Sequence, residues 1–392
     1  MSVVLSAILS GIIVIFMLGV LITVHEWGHY VSARLCKMNV REFAIGMGPV
    51  LFSRQKQDDA GNPVNTKFTL RAFPIGGFCD LGEDETGEKS SSPDHFRNKK
   101  LWQKVFVLAS GAIMNILIGF IILIIINCTL IGREAPFSMD EFLPPTVVSL
   151  DPQSPAEGHF QEGDEFYKIN GHRIVNAMDF AVFYNRDKGQ PMDFVVVRNG
   201  EKVKISGLSK VPKTDENGEP IVDESGNMAT VLGFNIDYTR DVVTIGRVLP
   251  RAGYMTVNYV RLIWVSLGDM ISGQVSRKEI MGPVGIGGVI HDVVTAPVDE
   301  TEKTPIINRM LIILGWFSIL AVNLAVVNML PIPAIDGGRI VFLFISAFLV
   351  LVRKKPLNEN VEGYIHGITM MLLLGLMGLI FFNDILNRWW QG

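Results

Sequence analysis

Cysteine, basic charge and charged residues in general are all scarce in this sequence. Its three cysteines, Cys36, Cys79 and Cys128, form no Cys-x-x-Cys pair, so we expect neither a disulfide framework nor a thiolate zinc site. The 35 basic residues are outnumbered by 39 acidic ones, and the net charge of −4 excludes a basic surface for nucleic acid. Charged residues make up 19% of the 392 residues and hydrophobic residues 48%, which indicates a protein partly in a membrane and partly in water.

Charged side chains are missing altogether from residues 1–24. Later segments at 105–131, 310–335 and 363–383 are similarly apolar, and each exceeds the ~20 residues that a helix needs to cross a bilayer. The first segment lacks the basic start and the cleavage site of a signal peptide, so we expect it to be retained. The sequence therefore predicts a membrane α-helical protein with four transmembrane helices.

Positive charges are clustered on one side of these segments. Lysines and arginines lie at 34–41, 97–104 and 353–355, whereas the N-terminus has none. By the positive-inside rule these stretches face the cytoplasm, and both termini and residues 132–309 face the other side of the membrane.

The parts between the apolar segments contain strand-like patterns. Residues 40–53 and 66–78 alternate apolar side chains with glycines and predict a membrane-associated β-hairpin or sheet, with a small cytoplasmic hairpin as the alternative. Short β-type runs, including 231–236, predict a β-rich domain within 132–245, facing away from the cytoplasm. Residues 254–272 are apolar but interrupted by charge, and favour an amphipathic helix at the outer surface.

The chain is thus divided into seven parts. They are a first transmembrane helix (1–34), a cytoplasmic connection with the β-strands (35–104), a second helix (105–131), the β-rich domain (132–245), an amphipathic connection (246–309), a third helix with an interfacial helix (310–352), and a fourth helix with the tail (353–392).

The sequence His25-Glu26-Trp27-Gly28-His29 stands at the end of the first apolar segment. On a helix, the pattern His-Glu-x-x-His places two imidazoles one turn apart on the same face, where both can bind one Zn²⁺. The carboxylate of Glu26 can then act as a general base on water. The motif predicts a catalytic zinc site inside a membrane protein.

A catalytic zinc ion requires a third protein ligand, and nothing suitable follows within the same segment. Asp336 is the carboxylate at the end of the third segment, directly after a stretch broken by Pro331 and Pro333. Ionisable groups in membranes are costly and usually functional, so we predict that Asp336 is the third ligand, with a helix cap as the alternative. Asn323 and Asn328 offer amides to the same site.

Asn115 in the second segment is a weaker candidate. Its amide either forms an interhelical hydrogen bond or orients a ligand or the substrate. The remaining histidines lack ligand spacing and are assigned no catalytic role; they are His95, His159, His172, His291 and His366.

These motifs resemble the site-2 protease family of intramembrane zinc metalloproteases, of the bacterial regulator-of-sigma-E type. The resemblance covers nearly the whole chain and includes the zinc motif, the segment 328–337, the glycine-containing strands at 43–49 and 71–78, and Gly282-Pro283-Val284-Gly285-Ile286. Segments 154–157, 162–164 and 169–172 are similar to one PDZ domain, as in the family's shorter members. Ala112 and Ile335 stand where the family more often has Pro and Leu.

The resemblance implies a multi-pass protein of the bacterial inner membrane that contacts the lipid bilayer and cleaves transmembrane substrates. Anti-sigma factors and signal-peptide remnants are the substrates expected of the family. We expect an edge strand from 68–78, including Phe73, Gly76 and Gly77, to hold the substrate extended. The PDZ domain would bind a trimmed C-terminus or exclude intact ectodomains. Two alternatives are a membrane-tethered PDZ adaptor and a membrane-anchored zinc protease for soluble or unfolded proteins.

Overall fold

A computed structural model describes residues 3–56, 66–82, 91–132, 144–186, 189–214, 220–221, 229–237, 243–273, 282–296, 305–354, 357 and 359–389. In chain order the elements are α1 (Val3–Leu35), β1 (Glu42–Arg54), β2 (Lys67–Asp80), α2 (Leu101–Thr129), β3 (Thr146–Leu150), β4 (Glu165–Ile169), β5 (His172–Arg173), α3 (Ala177–Tyr184), β6 (Met192–Arg198), β7 (Glu201–Leu208), β8 (Val211–Pro212), β9 (Thr230–Val231), β10 (Phe234–Asp237), α4 (Val248–Ile271), α5 (Pro283–Thr295), α6 (Pro305–Asn328), α7 (Asp336–Arg353) and α8 (Glu359–Trp389). They form two compact units, the first from 1–123 with 259–390 and 392, the second from 124–258 with 391.

Four of the described helices, α1, α2, α6 and α8, are long and apolar enough to cross a membrane. The predicted membrane α-helical class is thereby confirmed, and the chain is a multi-pass membrane protein. The third predicted segment, 310–335, was placed too late along the chain, because α6 runs from Pro305 to Asn328. Pro331 and Pro333 lack the amide hydrogen that a helix requires, so the chain leaves the helix before them.

The strands β1 and β2 bend, so that they form more than a simple hairpin. Residues 42–45 pair with both 67–70 and 77–80, and residues 50–54 pair with 68–71. The sheet thus has four segments in the order 50–54, 67–71, 42–45, 77–80. The segment 68–78 was expected to offer an edge strand. Its residues 68–71 instead lie inside this sheet, and among the described residues an edge is formed by 77–80.

This sheet packs against α1, the helix that carries the zinc motif. A side chain at Gly19 would meet the Pro74 carbonyl oxygen at 2.8 Å, so helix and strand approach closely there. Further along α1, the rings of Tyr30, Phe43 and Phe68 pack together with centroids 5.5–5.9 Å apart. The position of the sheet relative to the motif is therefore fixed by packing at two points.

Helices α1 and α2 are also in close contact. A side chain at Gly28 would meet the Ser110 carbonyl oxygen at 2.5 Å, and the hydroxyls of Ser32 and Ser110 are 2.7 Å apart. A buried cluster continues this packing toward α7; its members are Ala33, Cys36, Met38, Val40, Leu81, Phe96, Val107, Leu108 and Ile340. Elements distant in sequence are thereby held around the C-terminal half of α1.

The second unit contains a sheet domain, which we define as β3–β10 with α3. Its strand order is β10-β3-β4-β6-β7, with β5 beside β4, and all pairs are antiparallel. The single strand expected at 231–236 is instead two strands, since β9 pairs with β8 and β10 with β3. Gly233, between them, has φ +78°, a conformation that turns the chain and suits only glycine well.

The sheet domain has an aromatic core and one buried ion pair. Phe160, Phe166 and Phe194 are fully buried and pack with centroids 5.3–6.1 Å apart. Asp164 is also fully buried, and both of its oxygens accept hydrogen bonds from Arg198 at 2.7 Å. This pair joins the start of β4 to the end of β6.

Candidate metal centre

The His-Glu-x-x-His motif lies inside α1, which continues without a break beyond His29 to Leu35. His25 and His29 are buried, and their Nε2 atoms are 3.1 Å apart. Since α1 is continuous from Val3 to Leu35, one helical turn alone sets this separation.

Asp336 joins the two imidazoles from the first turn of α7. Its Oδ2 lies 2.9 Å from Nε2 of His25 and 3.3 Å from Nε2 of His29. Tetrahedral Zn²⁺ with bonds of about 2.0–2.1 Å requires ligand atoms about 3.3 Å apart, close to these separations. In the part of the chain that the structure describes, these three residues are the one His, Cys, Asp or Glu group able to hold a metal ion.

The Nδ1 atoms of the two imidazoles have neighbours that determine which ring nitrogen carries the proton. Nδ1 of His29 lies 2.8 Å from the Val107 carbonyl oxygen, which requires the proton on Nδ1 and leaves the Nε2 lone pair free. Nδ1 of His25 faces the amide of Asn115 at 3.4 Å. Asn115 is fully buried and its Oδ1 has no partner, so with the amide turned over Oδ1 would accept a hydrogen bond from Nδ1–H of His25.

Gly111 on α2 allows that helix to approach both imidazoles closely. A Cβ built there would lie 2.7 Å from Nε2 of both His25 and His29. Any side chain at this position would therefore crowd both imidazole rings. The nitrogen and oxygen donors and the separations of the three candidate ligand atoms fit Zn²⁺.

Glu26 lies beside the three candidate ligands. It is half-buried and lines a cavity of about 220 Å³, together with Ile22, His25, Leu324, Asn328, Ala334, Ile335 and Asp336. The backbone of Cys79, on the sheet edge, is directed at the Glu26 carboxylate. A carboxylate held next to a metal and an open cavity can take a proton from water.

The other residues predicted for the site differ in how close they lie to the three candidate ligands. The Asn328 amide nitrogen lies 3.4 Å from both nitrogens of His25 and faces the cavity. Asn323 is exposed, because five residues along a helix turn it about 140° away from Asn328. A Cβ on Gly77 would lie 3.6 Å from Glu26, whereas Gly76 contacts Met47. Phe73 is 61% exposed.

The segment between α6 and α7 is tightly folded, and its close approaches explain Gly337 and Gly338. Side chains there would clash with the carbonyl oxygens of Leu330 and Ile332. Ala334 has φ +81°, which costs an L-residue roughly 1–2 kcal/mol. Its amide nitrogen donates to Nδ1 of His366 on α8 at 2.7 Å. Sequence reasoning assigned His366 no role, and no local pattern marks it.

Buried nitrogen and oxygen ligands with an adjacent carboxylate base, set among helices of a membrane protein, define the class of membrane metalloproteases. This chain belongs to peptidase family M50, the site-2 protease family, whose profile matches residues 13–376. It is accordingly a zinc metalloprotease.

Relatives are similar over nearly their full length. The zinc metalloprotease RasP of Oceanobacillus iheyensis is 28% identical over 453 residues, covering 95% of this chain and 97% of that protein. The regulator of sigma-W protease RasP of Bacillus subtilis is 27% identical over 454 residues, covering 95% and 97%. A Clostridium perfringens protein, provisionally named as a zinc metalloprotease, is 31% identical over 370 residues, covering 93% and 95%.

Proposed function

We propose that this enzyme hydrolyses peptide bonds within the transmembrane segments of other membrane proteins, as in regulated intramembrane proteolysis. The observation that carries the proposal is the convergence of His25, His29 and Asp336 beside a cavity that Glu26 lines. A protease for soluble proteins would not need His25 and His29 on a helix long and apolar enough to cross a membrane.

His25, His29 and Asp336 would hold the Zn²⁺ ion, which when bound supplies a Lewis acid for water and for the scissile carbonyl. The Val107 carbonyl keeps His29 in the tautomer that leaves Nε2 free. Asn115 would do the same for His25 with its amide turned so that Oδ1 faces Nδ1. Asp336 directly follows the tightly folded segment between α6 and α7. The backbone of that segment therefore determines where the Asp336 carboxylate can lie.

Glu26 is the general base of this proposal. Its carboxylate takes a proton from the attacking water and passes it to the leaving amine. The Asn328 amide, which faces the same cavity, is placed to donate a hydrogen bond to the developing oxyanion. Asn323, exposed on the far side of α6, takes no part in this step.

A helical substrate hides its carbonyls and must be extended before cleavage. The sheet edge at 77–80 supports a way to do so, since an added strand would run past Glu26. Gly77 suits this position because its lack of a side chain leaves room beside the carboxylate. Phe73 and Gly76 lie farther along the same strand and would contact the substrate only outside the cleaved bond.

We assign the sheet domain as a PDZ domain on the outer side of the bacterial inner membrane, together with both termini. The positive-inside distribution of lysine and arginine supports this orientation. The name of the Bacillus subtilis relative supports substrates that control a sigma factor, such as anti-sigma factors, with signal-peptide remnants as a second group.

Replacing Glu26 by Gln tests the proposal. We expect cleavage of a transmembrane substrate to fall about 10²–10⁴-fold, which is the usual contribution of general base catalysis. Bound zinc, measured by elemental analysis, should be unchanged, because Glu26 is not a ligand. Asp336→Asn should instead lose zinc. Retained cleavage in Glu26→Gln would reject the base, and full zinc in Asp336→Asn would reject the ligand set.

A further inference from the structure

The described backbone N–H groups between α6 and α7 donate to carbonyls close by in sequence, with one exception at Ala334. The amides of Leu330, Ile332 and Ile335 all donate to carbonyls within 327–332. Pro331 and Pro333 have no N–H to donate. The Ala334 amide instead donates to Nδ1 of His366, 32 residues further along the chain.

Ala334 is the residue at which this contact matters most. Its φ of +81° is unfavourable for any residue except glycine, so an outside contact is needed to hold it. Asp336 follows two residues later, and its Oδ2 must stay near both imidazoles to bind the metal. A change of the Ala334 dihedral angles would displace Asp336.

We propose that His366 is a positioning residue for the metal centre, which holds Ala334 in its left-handed conformation and so places Asp336. The inference depends on the proposed role of Asp336 as a ligand. His366 reaches the site by its hydrogen bond with the backbone of Ala334, which lines the cavity, so its effect passes through that backbone.

The surroundings of His366 are consistent with this single role. To accept from Ala334, Nδ1 must be unprotonated, so the ring proton is on Nε2. Nε2 is buried without a hydrogen-bond partner and faces the carboxylate of Glu362, the nearest oxygen of which is 3.8 Å away. The ring packs on Phe342 of α7, with centroids 5.0 Å apart. Both the tautomer and the ring position are thereby favoured.

Three substitutions of His366 separate the hydrogen bond from simple packing. Leu keeps apolar volume without an acceptor, Asn places an oxygen where Nδ1 stands, and Gln places one a bond farther out. The matched control is Tyr364→Phe on the same helix, where the side chain is 74% exposed. All are compared as the full chain in detergent, with thermal unfolding of the zinc-free proteins to verify folding.

The measurement is zinc affinity by competition with a chelator, together with the visible spectrum of the Co²⁺-substituted protein. We expect His366→Leu and His366→Gln to bind zinc about 10-fold more weakly or worse and to change the Co²⁺ bands. His366→Asn and Tyr364→Phe should resemble the unsubstituted protein. Equal zinc affinity in all variants would overturn the proposal, as would an Asn variant no better than Gln. If Leu prevents folding, the comparison of Asn with Gln decides.

Asp336→Asn, measured in parallel, separates this inference from the proposed function. Zinc retained in Asp336→Asn would mean that Asp336 is not a ligand, and both proposals would fall. Zinc lost in Asp336→Asn but bound normally in His366→Leu and His366→Gln would reject the positioning role alone.

Discussion

Replacing Gly111 by Ala is the most direct test of where the metal binds. The added Cβ would lie 2.6 Å from Cε1 of His25 and 2.7 Å from Nε2 of both His25 and His29. Ordinary Cβ contacts begin at 3.4 Å, so the shortest of these is about 0.8 Å too close. The imidazoles or α2 must shift, and either movement separates the three ligand atoms.

We expect this change to weaken zinc binding at least ~100-fold, or about 2.8 kcal/mol. Helix α2 itself should not be weakened, because alanine is a better helix former than glycine. The control is Gly11→Ala in α1, where the new Cβ would meet nothing within 4 Å. It should bind zinc normally and fold at least as well as the unsubstituted protein.

Zinc content after dialysis against a chelator, and cleavage of a transmembrane substrate, are the two measurements. Both should fall in Gly111→Ala and remain normal in Gly11→Ala. A Gly111→Ala protein that folds and binds zinc with unchanged affinity would refute the reasoning, since the metal could not then lie between His25 and His29.

Further predictions concern the cofactor, the sheet domain and the β1–β2 sheet. Removing the metal with a chelator should abolish cleavage, and added Zn²⁺ should restore it; activity that survives complete metal removal would contradict the assignment. Asp164→Asn should lower the free energy of unfolding of the sheet domain by about 2–4 kcal/mol in denaturant titrations, because Arg198 loses its partner, and an unchanged midpoint would contradict this. Burial of Glu42 opposes its ionisation, but hydrogen bonds from Thr69 and Arg71 outweigh it and hold the pKa of Glu42 below its usual 4.5. The stability that Glu42 contributes is therefore complete above about pH 4.5 and is lost as pH falls through the lowered pKa, and Glu42→Gln should remove this acid-side dependence of the unfolding midpoint.

Much of the candidate site could be predicted because its signals are local. Two histidines four residues apart share a helix face, so His25 and His29 needed no tertiary structure to be paired. Pro331 and Pro333 marked the break before Asp336 by the same kind of reasoning, although the end of α6 was placed too late. Asn323 shows the limit, since its polarity suggested the site but its position on the helix turns it away.

The sequence by itself determined the four apolar helices, the metal motif and the family, because length, hydropathy and residue spacing are properties of a single stretch of chain. The tertiary structure decided which distant residues meet that motif. Gly111 matters because α2 crosses α1 at the imidazoles, and His366 because α8 passes Ala334. The sheet edge at 77–80 arises from bending of both strands. Contacts between elements far apart in sequence depend on how the helices and strands pack. That packing cannot be predicted from any single segment of the chain.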